Sequence, residues 1–455
     1  MSFRVKLVAS AMALIASAVA VGGAQAQSIA QALTAAYNYA PDLQAALLNA
    51  KASAEDIALA EAAKRPSISA SLNGTYNWSV INNSFDDGTS LTTGLNYSQT
   101  IFDNYQTEAR IEAARAGADA AEYQIRNTEQ TVLLAVVQAY MAVYSGRQLV
   151  ALREENRSFY SAQLQSSRDR LDVGEGTRID VAQAEARLAS GDAAYRAAVS
   201  SLEISQATFQ RYVGAAPQNL DAGHNFGRLI PKSLPTAIAE SETDHPAIMM
   251  AKAAIRAAQA TSDGAKAAFG PKATINGTVS SRATTPSRPT STDGFSGTLG
   301  FQISVPIYSG GAIGAGVRKA NIQQIKSEVD AMSTYDQIRE SVISAWAGIQ
   351  SADAQIASAN AAVSSGRTVV DGVIQERDLG TKTTLDVLNA QAELTSARES
   401  LINASSNKVI ATFSLLAAIG HLTAADLGLN VQIKSAVRYT QAVDDVWAEL
   451  RTVSE

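Results

Sequence analysis

The stretch "LGTKTTLDVLNAQAEL" at residues 379–394 has a twin, "VGEGTRIDVAQAEARL", at residues 173–188. Each holds a glycine, a short polar run, an aspartate and an alanine-rich segment. Thr177 with Asp180, and Thr383 with Asp386, fit the Ser/Thr-x-x-Asp/Glu pattern of a capping box. There the hydroxyl accepts from a helix N–H while the carboxylate accepts from the cap's own N–H. Each stretch therefore reads as a turn that restarts a helix, with Gly174, Gly176 and Gly380 in the turns.

The pairing extends outward. Gly174 and Gly380 are 206 residues apart (380 minus 174), and the same offset pairs Asp180 with Asp386, Leu188 with Leu394 and Gly214 with Gly420. Upstream it pairs Ile101 with Ile307 and Tyr140 with Trp346. Further upstream the offset is 205, pairing Pro41 with Pro246 and Pro66 with Pro271. One residue is gained between Pro271 and Ile307, where a loop between strands would absorb it. This is duplication of a large unit. The expected halves are 27–221 and 238–429, joined by a connector at 222–237 and followed by a tail at 430–455 without counterpart.

Composition narrows the class. The chain has 455 residues, 46% hydrophobic but only 6% aromatic, with alanine prominent. That suits long, close-packed helices. A net charge of −6 without a dense Lys/Arg cluster argues against nucleic acid. The absence of cysteine excludes disulfides and an N-terminal lipid anchor. Arg4 and Lys6, the apolar run "LVASAMALIASAVAVGG" and "AQA" at 24–26 read as a secretory signal over 1–26; a retained anchor would need a longer apolar run. No later run is long enough for a transmembrane helix, so membrane entry would have to use β-structure.

Two alternating stretches per half supply candidates. Strands are expected at about 66–80, 91–103, 271–283 and 294–308. In "SISASLNGTYNWSV" (67–80) odd positions are mostly Ser, Asn and Thr, while even positions include Ile68, Leu72, Tyr76, Trp78 and Val80. Phe295, Leu299, Phe301, Ile303, Val305 and Ile307 share one face likewise. A soluble sandwich would also alternate. Aromatics near strand ends (Tyr76, Trp78, Phe102, Tyr308) and long polar links at 81–90 and 282–294 favour an outer-membrane barrel. Four strands cannot close one without open edges in hydrocarbon. Three copies would give twelve strands and room for a wet lumen.

Helices are expected at about 104–173, 177–213, 312–379 and 383–418. The long ones would reach roughly 100 Å at 1.5 Å per residue. Alone they would fit a soluble bundle or rod. Following directly on membrane-type strands, they imply a mixed membrane β-barrel continued by an α-helical coiled-coil barrel.

At this point the chain resembles the TolC family of outer-membrane efflux proteins. The resemblance covers the mature chain and is closest at "GTKTTLDVLNA" (380–390) and "GTRIDVAQAEARL" (176–188). It implies a homotrimer with a twelve-stranded barrel and a twelve-helix tunnel, and an equatorial belt built from connector and tail. It implies a passive duct, closed at the periplasmic tip. A periplasmic adaptor and an inner-membrane ABC or RND-type transporter would be its partners, with no cofactor and no metal. Asp386 matches a lumen-facing aspartate ring. Asn389 stands where some members carry a second aspartate, which would weaken the ring. Lys382 and Asp180, with Arg178 beside them, match a tip latch, and Ile179 replaces a hydroxyl residue of some relatives. Gly174, Gly176 and Gly380 would lie where the adaptor docks.

Capping alone also explains both aspartates. His224, His245 and His421 lack metal-ligand spacing, Trp447 is expected to anchor the tail, and no catalytic constellation is present. The rival reading is a periplasmic coiled-coil adaptor without a pore.

Overall fold

The computed structural model describes residues 27–221, 223, 225–285 and 293–443. The expected signal segment, His224 and Trp447 lie outside the described residues. Two short helices open each half: α1 (Ile29–Tyr39) and α2 (Pro41–Ala62), then α5 (Leu234–Asp244) and α6 (Pro246–Ala267). Pro41 and Pro246 stand in the first turns of α2 and α6, where the missing N–H costs no helical bond.

Each pair leads into strands: β1 (Ser67–Ile81) and β2 (Ser84–Phe102), then β3 (Lys272–Thr285) and β4 (Gly294–Ser304). They form one antiparallel sheet in the order β1-β2-β3-β4, so the halves pair through β2 and β3. Register separates the faces. Ala70, Leu95 and Val279 stand in one cross-strand row, and Gly277 faces Leu299. On the other face, Ser98 donates to Asn276 (3.0 Å), Thr278 meets Thr298 (2.6 Å) and Ser280 meets Ser296 (3.1 Å). The apolar face stays open: Ile68, Leu72, Trp78, Phe295 and Leu299 are all exposed.

Two expectations are corrected here. The link at 81–90 is no long loop. β1 runs to Ile81, β2 starts at Ser84 rather than near 91, and only Asn82 and Asn83 turn the chain, at φ 49° and 61°. Asparagine tolerates this left-handed pair and matches the strand twist in a two-residue hairpin. The strand expected to reach 308 stops at Ser304, because Pro306 has no N–H to donate to a ladder.

The long helices follow: α3 (Gln106–Asp172) with α4 (Arg178–Val213), and α7 (Ala312–Asp378) with α8 (Thr384–Ala418). At 67 residues each, α3 and α7 span about 100 Å. The chain enters α3 through Asn104 and Tyr105 at φ 57° and 67°; the second half uses Gly310 and Gly311 at equivalent positions. Among the described residues no helix is long and apolar enough to cross a membrane.

The core lies around the middle of α3. Val132, Leu133, Val136, Val137, Tyr140 and Met141 bury against α1, the end of α4 and the chain after α8. This belt contains irregular backbone, whose buried amides need partners. Side chains of α3 provide them. Glu129 accepts from the Ala424 amide, Glu122 from Ala436 (2.9 Å), and the Tyr140 hydroxyl from Asp221 (2.8 Å). The tail helix α9 (Val437–Val443) packs on α2, where Tyr439 donates to Glu55 (2.6 Å).

Candidate functional site: the hairpin tips

The two turns quoted above form the far ends of the hairpins α3–α4 and α7–α8. Their backbones match. Glu175 and Gly176 amides both donate to the Arg170 carbonyl at 2.9 Å; Thr381 and Lys382 amides both donate to Glu376, at 2.9 and 3.3 Å. Gly174 and Gly380 take φ +82° and +79°, which lets each helix end turn sharply.

Both capping boxes form. Asp180 donates its amide to the Thr177 hydroxyl (3.2 Å) and accepts the Thr177 amide (3.0 Å). Asp386 does the same with Thr383, at 3.2 and 2.9 Å. The Thr383 amide, then its hydroxyl, then the Lys382 charge hold the Asp386 carboxyl below its usual range. These bonds engage Oδ2 and leave Oδ1 of Asp386 without a partner among the described residues. Capping and a charge presented to an adjacent pore are therefore compatible.

The protomer does not bring the expected latch together. Lys382, Arg178 and Asp180 are joined by no ion pair among the described residues, and both cations are exposed. Asn389, one turn beyond Asp386, does have a partner: its Oδ1 accepts from Arg187 Nη2 at 2.7 Å. Arg187 thus ties the first hairpin to the second near the tip. Sequence reading passed over it, because nothing in the spacing of a lone arginine on α4 names a partner 202 residues away.

The tie belongs to a longer polar seam between the hairpins. Along α3 and α8, Arg398 donates to Glu155 (2.8 Å) and Arg153 pairs with Glu399. Asn156 is buried and accepts from Gln391 (3.2 Å) and Thr395 (3.0 Å). Arg377 at the end of α7 is also buried and donates to Gln163. Inside the second hairpin the contact is apolar instead, with Val363 and Val370 of α7 against Ala390 and Leu394 of α8. The signal for the seam was polar residues set among apolar helix positions. Among the described residues no group of His, Cys, Asp or Glu is placed to hold a metal ion.

Comparison with known proteins agrees with this architecture. The model of the family described as "Outer membrane efflux protein" matches residues 17–215 and 237–421, one segment per half. The outer membrane efflux protein BepC of Brucella suis is 35% identical over 98% of this chain and 97% of its own length. The alkaline protease secretion protein AprF of Pseudomonas aeruginosa is 26% identical, over 86% of this chain and 83% of its own. Among solved structures, the CmeC outer membrane channel of Campylobacter jejuni superposes with a TM-score of 0.76 at 17% identity. It covers 92% of this chain and 89% of that one. CusC superposes at 0.75 with 21% identity, covering 86% and 91%. The expected mixed strand-and-long-helix fold is therefore the one observed. By its duplicated halves, its sheet with an open apolar face, its paired hairpins and these matches, the chain belongs to the outer membrane efflux protein family and is an outer-membrane protein.

Proposed function

We propose that three copies of this chain close into a passive exit duct. Three four-stranded sheets would make a twelve-stranded barrel in the outer membrane, and three pairs of hairpins a twelve-helix tunnel in the periplasm. The observation that carries this is a protomer unfinished on both flanks. Among the described residues β1 and β4 are unpaired edges, and Ile322, Ile325, Val329 and Met332 form an exposed apolar stripe along α7 at three-and-four spacing. Unpaired edges in hydrocarbon cost several kcal/mol per group, so pairing β4 of one copy with β1 of the next is the economical closure. The polar ladder of Ser, Thr and Asn faces a wet lumen in that arrangement.

The duct does no chemistry and needs no cofactor. Its tip is the gate: Asp386 forms a ring of three carboxylates, and Lys382, Arg178 and Asp180 latch one copy to the next. An adaptor docks on the turns at Gly174, Gly176 and Gly380 and opens the tip, with the polar seam letting one hairpin shift against the other. An inner-membrane transporter of the ABC or RND type supplies the energy. Relatives named for protease secretion and for antibiotic efflux support both protein and small-molecule cargo.

Membrane fractionation with planar-bilayer recording tests the reading. A duct is recovered with outer membranes and gives discrete conductance steps. Recovery in the soluble periplasm without conductance would make the chain a pore-free adaptor.

A further inference from the structure

On α3 the residues that sink into the belt (Val132, Val136, Tyr140) lie half a turn from Asn127, Thr131 and Gln138. On α7 the belt takes Val342, Trp346 and Ile349, while Gln337, Ser344 and Gln355 lie away from it. These two outlying stripes face each other across α8 and wall a groove of about 1100 Å³. Since the belt wraps the opposite side of the same helices, the groove opens toward the interior of the proposed duct. Amides, hydroxyls and small apolar groups make up nearly all of its wall. His245 lines one end and is neutral, because burial pushes its pKa down to about 4. Apart from His245, Glu340 is the one acidic or basic side chain in this lining, and its carboxylate has no partner among the described residues.

We propose that Glu340 makes a second cation-selecting station on the duct wall, at belt level, acting independently of Asp386 at the tip. The proposal rests on the trimeric duct reading. A carboxylate on a concave wall raises the local concentration of cations and lowers that of anions. Three copies set three carboxylates at one height. From Glu340 to the end of α7 at Asp378 is roughly 57 Å at 1.5 Å per residue. That far exceeds the Debye length of about 10 Å at 0.1 M salt, so the two stations do not feel each other.

The test is reversal potential in planar bilayers under a potassium chloride gradient at low ionic strength. Wild type, Glu340→Gln, Asp386→Asn and the double variant are compared. Glu340→Gln is expected to lower the potassium-over-chloride permeability ratio by about twofold or more, with unitary conductance steps retained. The double variant should show the product of the two single effects. Ser344→Lys, which sets a cation one turn along the same wall, should lower the ratio in the same direction. A wild-type ratio in Glu340→Gln and Ser344→Lys would overturn this proposal and leave the duct reading standing. No conductance from wild type would overturn the duct reading and this proposal with it.

Discussion

Gly420, just past the end of α8, lies so close to the start of α6 that a methyl group on it would sit 3.0 Å from the Cα of His245. Its counterpart Gly214 closes α4 against Tyr39, whose ring would lie 2.7 Å from such a methyl. Each glycine thus sets the end of a long helix against the junction of two short ones, α8 at the α5–α6 junction and α4 at the α1–α2 junction. The two glycines splice them, at φ +92° and +79°.

Gly420→Ala is therefore expected to destabilise the protein more than Gly214→Ala. Both force an L-residue into a left-handed conformation, at about 1–3 kcal/mol. At Gly420 the obstacle is backbone, while the exposed Tyr39 ring can swing aside. Thermal unfolding of the two variants in detergent checks the order; equal losses would count against the splice.

His245 makes this splice sensitive to acid. Its Nδ1 accepts the Ala247 amide at 3.1 Å, and burial depresses its pKa from 6.5 to about 4. Between those values the unfolded chain binds a proton that the folded chain refuses. Its contribution is thus complete above pH 6.5 and is lost progressively as pH falls toward 4. The full shift corresponds to about 3 kcal/mol per protomer. His245→Asn keeps an acceptor for the Ala247 amide but cannot titrate. Its melting temperature should fall less than that of wild type between pH 7 and 4, and parallel curves would refute the assignment.

Arg187→Ala removes the bond to Asn389 and should loosen the first hairpin from the second near the tip. The expected result is higher conductance of the resting duct with normal trimer yield. Lys382→Ala tests the latch between copies by the same recording. Conductance unchanged in both would mean that neither contact holds the tip closed.

Asp386→Asn should lower cation selectivity without loss of assembly. Because Thr383 and Lys382 lower the Asp386 pKa, each carboxyl of the proposed ring should keep its charge to a lower pH than an uncapped aspartate in the same place. Tip-dependent selectivity should therefore survive to that lower pH. Loss of selectivity at the pH expected of an uncapped aspartate there would count against a capped aspartate at the pore.

The duplication was readable because it leaves matched signals at fixed offsets, and the helix restarts because a capping box is local chemistry. The hairpin at Asn82 and Asn83 was misread. Its second flank, "DDGTS" at 86–90, holds no apolar side chain, as a loop can, and the left-handed tolerance of two adjacent asparagines was the cue. The partners of Asn156, Arg187 and Arg377 were not readable at all. Each lies across a helix interface, and one sequence does not specify how two hairpins are set side by side. The belt itself follows from the resemblance, but its fastenings were hidden for a similar reason, since Glu122, Glu129 and Tyr140 bind backbone amides, which carry no sequence signature.

The free edges of β1 and β4 have a consequence for the life of the newly made chain. An unpaired strand edge is a template for any other strand, and here two of them border an exposed apolar face. On the trimeric reading, a protomer alone is an adhesive folding intermediate. Its folding free energy is tied to the concentration of its own kind. Dilution should therefore destabilise it without any change in its sequence.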